Sequence, residues 1–191
     1  WGAQYPYPAS LCVSVNNEVV HGIPDTTILK EGDIVSLDLG IKHQGLITDS
    51  AVTVPVGKIN ERSQKLIDTT REALNVGIKA IRPGGFVGDI GKAIEKFVKP
   101  HKFGIVTTLG GHGVGYEVHE EPYIPNFKMK GNGPKLKVGM VLALEPMLNE
   151  GTEDVYLDKD GYTFKTADGK KSAHFEHTVI VTEKGAEIIT I

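Results

Sequence analysis

The sequence predicts an α+β fold, a largely antiparallel sheet with helices on one face. Three observations carry this. Residues 33–41 (DIVSLDLGI) alternate in the period of a strand, and a second strand-like run, 46–56, follows a two-residue turn at Gln44-Gly45. Residues 61–82 and 90–99 carry the helical period instead. Beyond residue 100 the chain is mostly short strand-like runs and turns, the pattern of an antiparallel sheet rather than of repeated strand–helix–strand units.

Taken in order, residues 1–10 are turn-rich, with Pro6 and Pro8 each following a tyrosine and favouring extended backbone. Residues 11–15 (LCVSV) read as a short strand, and Asn16-Asn17 punctuates before a second run at Val19-Val20. In 33–41, Val35, Leu37, Leu39 and Ile41 share one face, and Ser36, Asp38 and Gly40 share the other. The first helix places Leu66, Thr70, Ala73, Leu74, Gly77, Ile78 and Ile81 on one side, with Asn60 as its N-cap and Pro83-Gly84-Gly85 as its stop. The second buries Ile90, Ala93, Ile94, Phe97 and Val98, with Asp89 as cap and Pro100 as stop. Further strands are expected near 104–108, 139–148, 161–165 and 174–182.

Composition narrows the function. A chain of 191 residues fits one ordinary domain, and 40% hydrophobic residues suffice for a core. The net charge of -3 gives no broad basic field for DNA or an anionic membrane. No apolar run approaches the roughly 18–20 residues of a membrane span. The single cysteine, Cys12, excludes an internal disulfide and a Cys-rich zinc module. The chain opens on Trp1 with no leader pattern after it, so the expectation is a sequence that starts inside a longer product.

Four carboxylates stand where strands should be apolar: Asp38 in VSLDLGI, Asp49 in GLITDSAVTV, Glu145 in VLALEPM and Glu176 in AHFEHTVIV. Buried together they need a shared partner. Arg62, Arg71 and Arg82 are the only arginines, and all lie on or beside the first helix, which leaves metal as the better partner. His112, in GGHGVG, adds a nitrogen donor where glycines allow close approach. Four carboxylates and one imidazole suit two divalent ions such as Mn(II), Fe(II) or Co(II), with Zn(II) less typical of such a donor set. Two ions about 3.5–4 Å apart could share a hydroxide that attacks a carbonyl. An acid of this kind taken alone is more often a turn or strand-edge residue, and the spacings match no short metal motif.

His21 and His119 are the next candidates, as proton-transfer or oxyanion groups, and the glycine-rich seven-residue span from His112 lets His119 face the same cavity as His112. Either, taken alone, also reads as a surface or core histidine. His174 alternates onto the face of Glu176, His177 points to the other face, and His43 and His101 read as exposed. Lys128, Lys130, Lys135 and Lys137 surround Gly131-Asn132-Gly133-Pro134. They read as a solvated loop or as a small patch facing RNA or the ribosome, and the sequence leaves both open.

The motifs NNEVVHGIPD, SLDLG, GGHGVGYEVHEEP, LALEPM, DGYTFKT and AHFEHTVIVT occur in that order from about Tyr7 to Ile191. With them the chain resembles the bacterial type I methionine aminopeptidases. The resemblance implies the pita-bread fold, two pseudo-symmetric halves with a curved antiparallel sheet and helices on its outer face. It implies a single catalytic domain over 1–191, here lacking the N-terminal part of the usual domain. It implies removal of the initiator methionine from nascent polypeptides by water activated between two divalent ions.

By that resemblance Asp38, Asp49, His112, Glu145 and Glu176 match the metal ligands. Glu145 also matches the proton shuttle, His21 the group at the scissile amide, and His119 the group at the scissile carbonyl. Tyr7, Cys12, Val118 and Tyr162 match the wall of the methionine pocket, and His174 is placed near the substrate. Asn16 and Ser172 match positions near a monovalent-cation site in some members. A cytoplasmic monomer with at most a transient ribosome contact is implied.

Two wall positions depart from the family's common pattern, which has Phe at Val118 and Trp at Tyr162. HGVGYEVHEEP is also similar to prolidases and aminopeptidases P, which share the fold and the five ligands. A proline-specific peptidase and a non-catalytic, ribosome-associated pita-bread protein are therefore the competing readings.

Overall fold

The computed structural model describes residues 6–190. The first half of the turn-rich opening, 1–5, and Ile191 lie outside the described residues. The chain runs β1 (Cys12–Val15), β2 (Glu18–Val20), β3 (Ile34–His43), β4 (Leu46–Pro55), α1 (Glu61–Ala80) and α2 (Val87–Val98). It continues with β5 (Gly104–Ile105), β6 (Gly111–Gly113), β7 (Glu120–Ile124), β8 (Val141–Leu144) and β9 (Met147–Asn149). Then come β10 (Val155–Leu157), β11 (Phe164–Thr166), β12 (Ser172–His174), β13 (Glu176–Thr182) and β14 (Gly185–Ile188).

The expected hairpin forms. His43 pairs with Leu46 across Gln44 and Gly45, whose φ angles of 48° and 86° are those of a two-residue primed turn. The main sheet follows the order β1-β3-β4-β13-β8-β6-β7, with β14 also on β13, and every pair is antiparallel. Two three-stranded sheets, β10-β11-β2 and β12-β9-β5, complete it.

α1 begins as its sequence predicts: the Ser63 N–H donates to Asn60 Oδ1 at 2.8 Å. α2 begins earlier than predicted. Its N-cap is Phe86, and Asp89 sits inside the first turn, where its carboxylate accepts from the Phe86 N–H at 2.9 Å. Asp89 therefore serves the helix start from its third position, not as the cap itself. Both helices bury their apolar stripes against one half of the sheet, where Leu66, Leu74, Ile90 and Ile94 share a core with Leu142, Leu144, Val179 and Val181. The outward face of β3 and β4 carries no such cover among the described residues, and Ile41 and Val52 are 52% and 41% exposed there.

The strand expected at 139–148 divides into β8 and β9 at Glu145-Pro146, and the one at 174–182 is preceded by β12 across Phe175. The register is the same on both sides of the break, with Leu144 opposite His177 and Met147 opposite His174. The two strands thus make one antiparallel ribbon that bends as it passes from the main sheet to a small one. Proline at 146 has no N–H for a ladder bond, which favours the bend there. Strands β6, β7, β10 and β14 were not expected from the sequence, being short and poor in alternation. His101 is half-buried, its ring 5.1 Å from that of Phe97, and not exposed as expected.

Candidate metal centre

Sheet register alone gathers the acids. Asp38 pairs with Cys12 on one side and Ala51 on the other, and Ala51 pairs with Glu176. Residues directly opposite share a face, so Cys12, Asp38, Ala51 and Glu176 form one row across four strands. Continuing the β8–β13 register by one residue sets Glu145 opposite Glu176. The next row holds Asp49, opposite Gly40, and a further alignment of Thr178, Ala143 and His112. Five residues, four on strands and Glu145 at the β8–β9 break, therefore face one space.

Close approach of β6 places His112. A Cβ at Gly111 would lie 2.3 Å from the Ala143 carbonyl oxygen, and one at Gly113 would lie 2.3 Å from that of Glu121. Only glycine lets β6 sit between β8 and β7 at this depth. His112 Nε2 then stands 3.5 Å from Glu145 Oε1. Its ring centroid lies 4.4 Å from that of His119, edge to face. His21, held at φ 58° after β2, packs edge to face on Phe164 at 6.2 Å.

Asp49, His112 and Glu176 offer donor atoms that all lie within 4.8 Å of one another. Glu176 is 3% exposed and its Oε1 has no hydrogen-bond partner. Among the described residues no lysine or arginine pairs with any of the four acids. Burial, reinforced by mutual repulsion, pushes Asp38 up to about 7 and Asp49 to about 6, and burial alone drives Glu145 to about 7. Glu176 is raised well above the carboxylate range by the same causes. Acids so crowded, with an orphaned oxygen pointing inward, fit divalent cations: the donor set is hard, partly charged and otherwise uncompensated.

Above this cluster lies a cavity of about 220 Å³. Its wall includes His21, His112, His119 and Glu145 on the polar side and Leu109, Leu157, Tyr162 and Phe164 on the apolar side. Burial lowers His21 and His119 to about 4, so both are neutral imidazoles at physiological pH.

The expected wall residues divide. Tyr162 lines the cavity. Tyr7 backs it, its ring 5.6 Å from that of Tyr162 and its hydroxyl donating to the Gly22 carbonyl at 2.7 Å. Cys12 lies beside Asp38 in the sheet, and burial pushes its thiol up to about 12, so it is an unreactive thiol. Val118 is 40% exposed and does not line the cavity, and neither does His174.

Asn16 and Ser172 are brought together, the Ser172 N–H donating to the Asn16 carbonyl at 2.8 Å. The Asn16 side chain is engaged elsewhere, with Asp33 and the Ile34 N–H. One residue escaped the sequence reading: Asn126, 1% exposed, donates from Nδ2 to the Glu145 carbonyl at 3.0 Å. Nothing in the sequence around Pro125-Asn126 signals this contact.

The comparisons with known proteins agree with this geometry. The model of metallopeptidase family M24 matches residues 2–183. The chain is 50% identical over 188 residues to the methionine aminopeptidase of Aquifex aeolicus, covering 96% of this chain and 72% of that protein. It is 47% identical over 184 residues to methionine aminopeptidase 1 of Bacillus subtilis, covering 96% and 74%. Among solved structures, methionine aminopeptidase from Rickettsia prowazekii superposes with a TM-score of 0.94 at 41% identity, covering 97% of this chain and 75% of that one. A prolidase from Pyrococcus horikoshii, at 22% identity and TM-score 0.77, shares the fold. The curled sheet is thus the pita-bread fold, and the chain belongs to metallopeptidase family M24 and, within it, to the methionine aminopeptidases.

Proposed function

We propose that this chain, as one catalytic domain, removes the N-terminal methionine from peptides and nascent proteins. The observation that carries the reading is the position of Glu145. It is at once a wall of a mainly apolar cavity and a neighbour of the Asp49–His112–Glu176 donor group. Asp38, Asp49, His112, Glu145 and Glu176 would hold two divalent ions, Co(II), Mn(II), Fe(II) or Zn(II), and these would supply Lewis acidity and a nucleophilic water at neutral pH.

The chain's own groups do the rest. The apolar side of the cavity, with Leu109, Leu157, Tyr162 and Phe164, takes an unbranched thioether side chain. Tyr7 supports that wall through Tyr162. His119, neutral, donates an N–H to the scissile carbonyl oxygen as negative charge builds on it. His21, also neutral, meets the scissile amide. Glu145 takes a proton from the attacking water and passes it to the departing amine. The cavity's small volume favours small residues after the methionine.

Asn16 and Ser172 are retained as the place for a monovalent cation, through the Asn16 carbonyl and the Ser172 hydroxyl. The protein works as a cytoplasmic monomer. The exposed Lys128, Lys130, Lys135 and Lys137 give it a transient contact with the ribosome as chains emerge.

Cleavage of two peptides tests the reading. Stripped protein reloaded with Mn(II) or Co(II) should release methionine from Met-Gly-Met-Met and leave an Ala-Pro peptide intact, and EDTA should stop the release. Cleavage of Ala-Pro alone would transfer the chain to the proline-specific peptidases of this fold. Silence on both peptides would favour a non-catalytic, ribosome-associated role.

A further inference from the structure

His174 is 1% exposed, yet neither ring nitrogen has a hydrogen-bond partner. A buried imidazole in that condition is costly unless something in the site answers it. It does not line the cavity, so the methionine side chain is not that partner. It ends β12, where the ribbon bends, and its register sets it on the same face as Glu145, diagonally across the break.

There His174 Nε2 lies 3.5 Å from Glu145 Oε2, while His112 Nε2 lies 3.5 Å from Glu145 Oε1. Two imidazoles thus bracket one carboxylate, each on its own oxygen. The backbone beneath both residues is pinned. His174 donates its N–H to Thr53 Oγ1 and accepts from the same hydroxyl at its carbonyl, both at 2.8 Å. The Glu145 carbonyl accepts from Asn126 at 3.0 Å. What remains free at Glu145 is the rotation of its side chain.

We propose that His174 is a positioning residue that holds the Glu145 carboxylate through its Oε2 and presents Oε1 to the metal centre. With cations bound, the 3.5 Å approach would close to a hydrogen bond from His174 Nε2–H to Oε2. This rests on the reading of Glu145 as metal ligand and proton carrier. Removing such a supporting partner typically lowers metal affinity or activity by about 10–100-fold.

The test compares His174→Leu, which removes the donor, with His174→Gln, which restores an N–H. Calorimetric titration of stripped protein with Mn(II) reads affinity directly, and kcat and KM on a Met-Ala peptide are read separately. His174→Leu should bind at least one ion about tenfold or more weakly, with kcat falling and KM nearly unchanged. His174→Gln should recover most of both. A folded His174→Leu protein that binds metal as tightly as wild type would overturn the proposal, as would failure of Gln to recover either property.

If His174→Leu does not fold, nitrogen-15 NMR of the metal-loaded wild type decides. A slowly exchanging proton on His174 Nε2 is expected, and a bare Nε2 overturns the proposal. A wild type that binds metal but releases no methionine would defeat the functional reading and leave the calorimetric comparison valid.

Discussion

Thr178 and Asp49 are tied twice: the Asp49 N–H donates to Thr178 Oγ1, and the same hydroxyl donates to the Asp49 carbonyl, both at 2.8 Å. Thr178 is fully buried on β13, and Asp49 lies on β4. The β4–β13 ladder is only two pairs long, at Ala51 and Ser50. The hydroxyl therefore takes over where the backbone ladder stops, and it fixes the backbone of one of the proposed metal ligands. Thr178→Val keeps the shape and removes both bonds. It should weaken metal binding by about tenfold or more. It should also lower stability by about 1–3 kcal/mol, since the Asp49 N–H and carbonyl are left buried and unpaired. Calorimetry and urea unfolding read the two effects.

Gly113→Ala tests how His112 is delivered. The added Cβ would meet the Glu121 carbonyl oxygen, backbone against backbone, with no flexible side chain to give way. Overpacking of this kind costs about 1–3 kcal/mol. Because β6 must shift to relieve it, metal affinity should fall along with the unfolding midpoint. A variant that is less stable but binds metal normally would show that β6 is placed by other contacts.

Removing single side chains should separate ligands from the groups above them. Asp49→Ala should lose both metal and turnover. His119→Ala should keep its metal and lose turnover by about 100- to 10,000-fold, the range for a positioned proton donor. Metal content by elemental analysis beside peptide cleavage makes the distinction. Loss of metal from His119→Ala would mean that His119 is itself a ligand.

Metal binding should depend on pH in one direction. Burial raises Asp38, Asp49 and Glu145 to about 7, 6 and 7 in the cation-free protein. Each is protonated below its pKa and must lose that proton to bind a cation. His21 and His119, lowered to about 4, stay neutral across the same window and add no opposing protons. Affinity should therefore fall as pH drops from 8 through 7 towards 5, with more protons released on binding near pH 6 than near pH 8.5. Titrations in buffers of different ionisation enthalpy count them.

The four acids stood out because each is a charge in an apolar strand, a contradiction visible without coordinates. Asp38 in VSLDLGI and Glu176 in AHFEHTVIV show it plainly. Their assembly was not legible, since it depends on register, and register between β4 and β13 is set by residues more than a hundred apart in sequence. The helices and the Gln44-Gly45 hairpin were readable from local periodicity and turn chemistry. The short strands β6 and β7 were not, because β6 is Gly-His-Gly and owes its place to close packing instead of propensity. Val118 shows the limit of carrying a role over by motif: its neighbour His119 enters the cavity wall, and Val118 itself faces solvent. Asn126 acts on a backbone carbonyl nineteen residues away, a contact no local pattern announces.

The most direct test of the five-residue centre is the rate of methionine release as Mn(II) or Co(II) is added back to stripped protein. The account predicts no release without metal, a rise that follows metal occupancy, and no rise in Glu176→Ala. Methionine release at the wild-type rate from protein shown to be metal-free would contradict it.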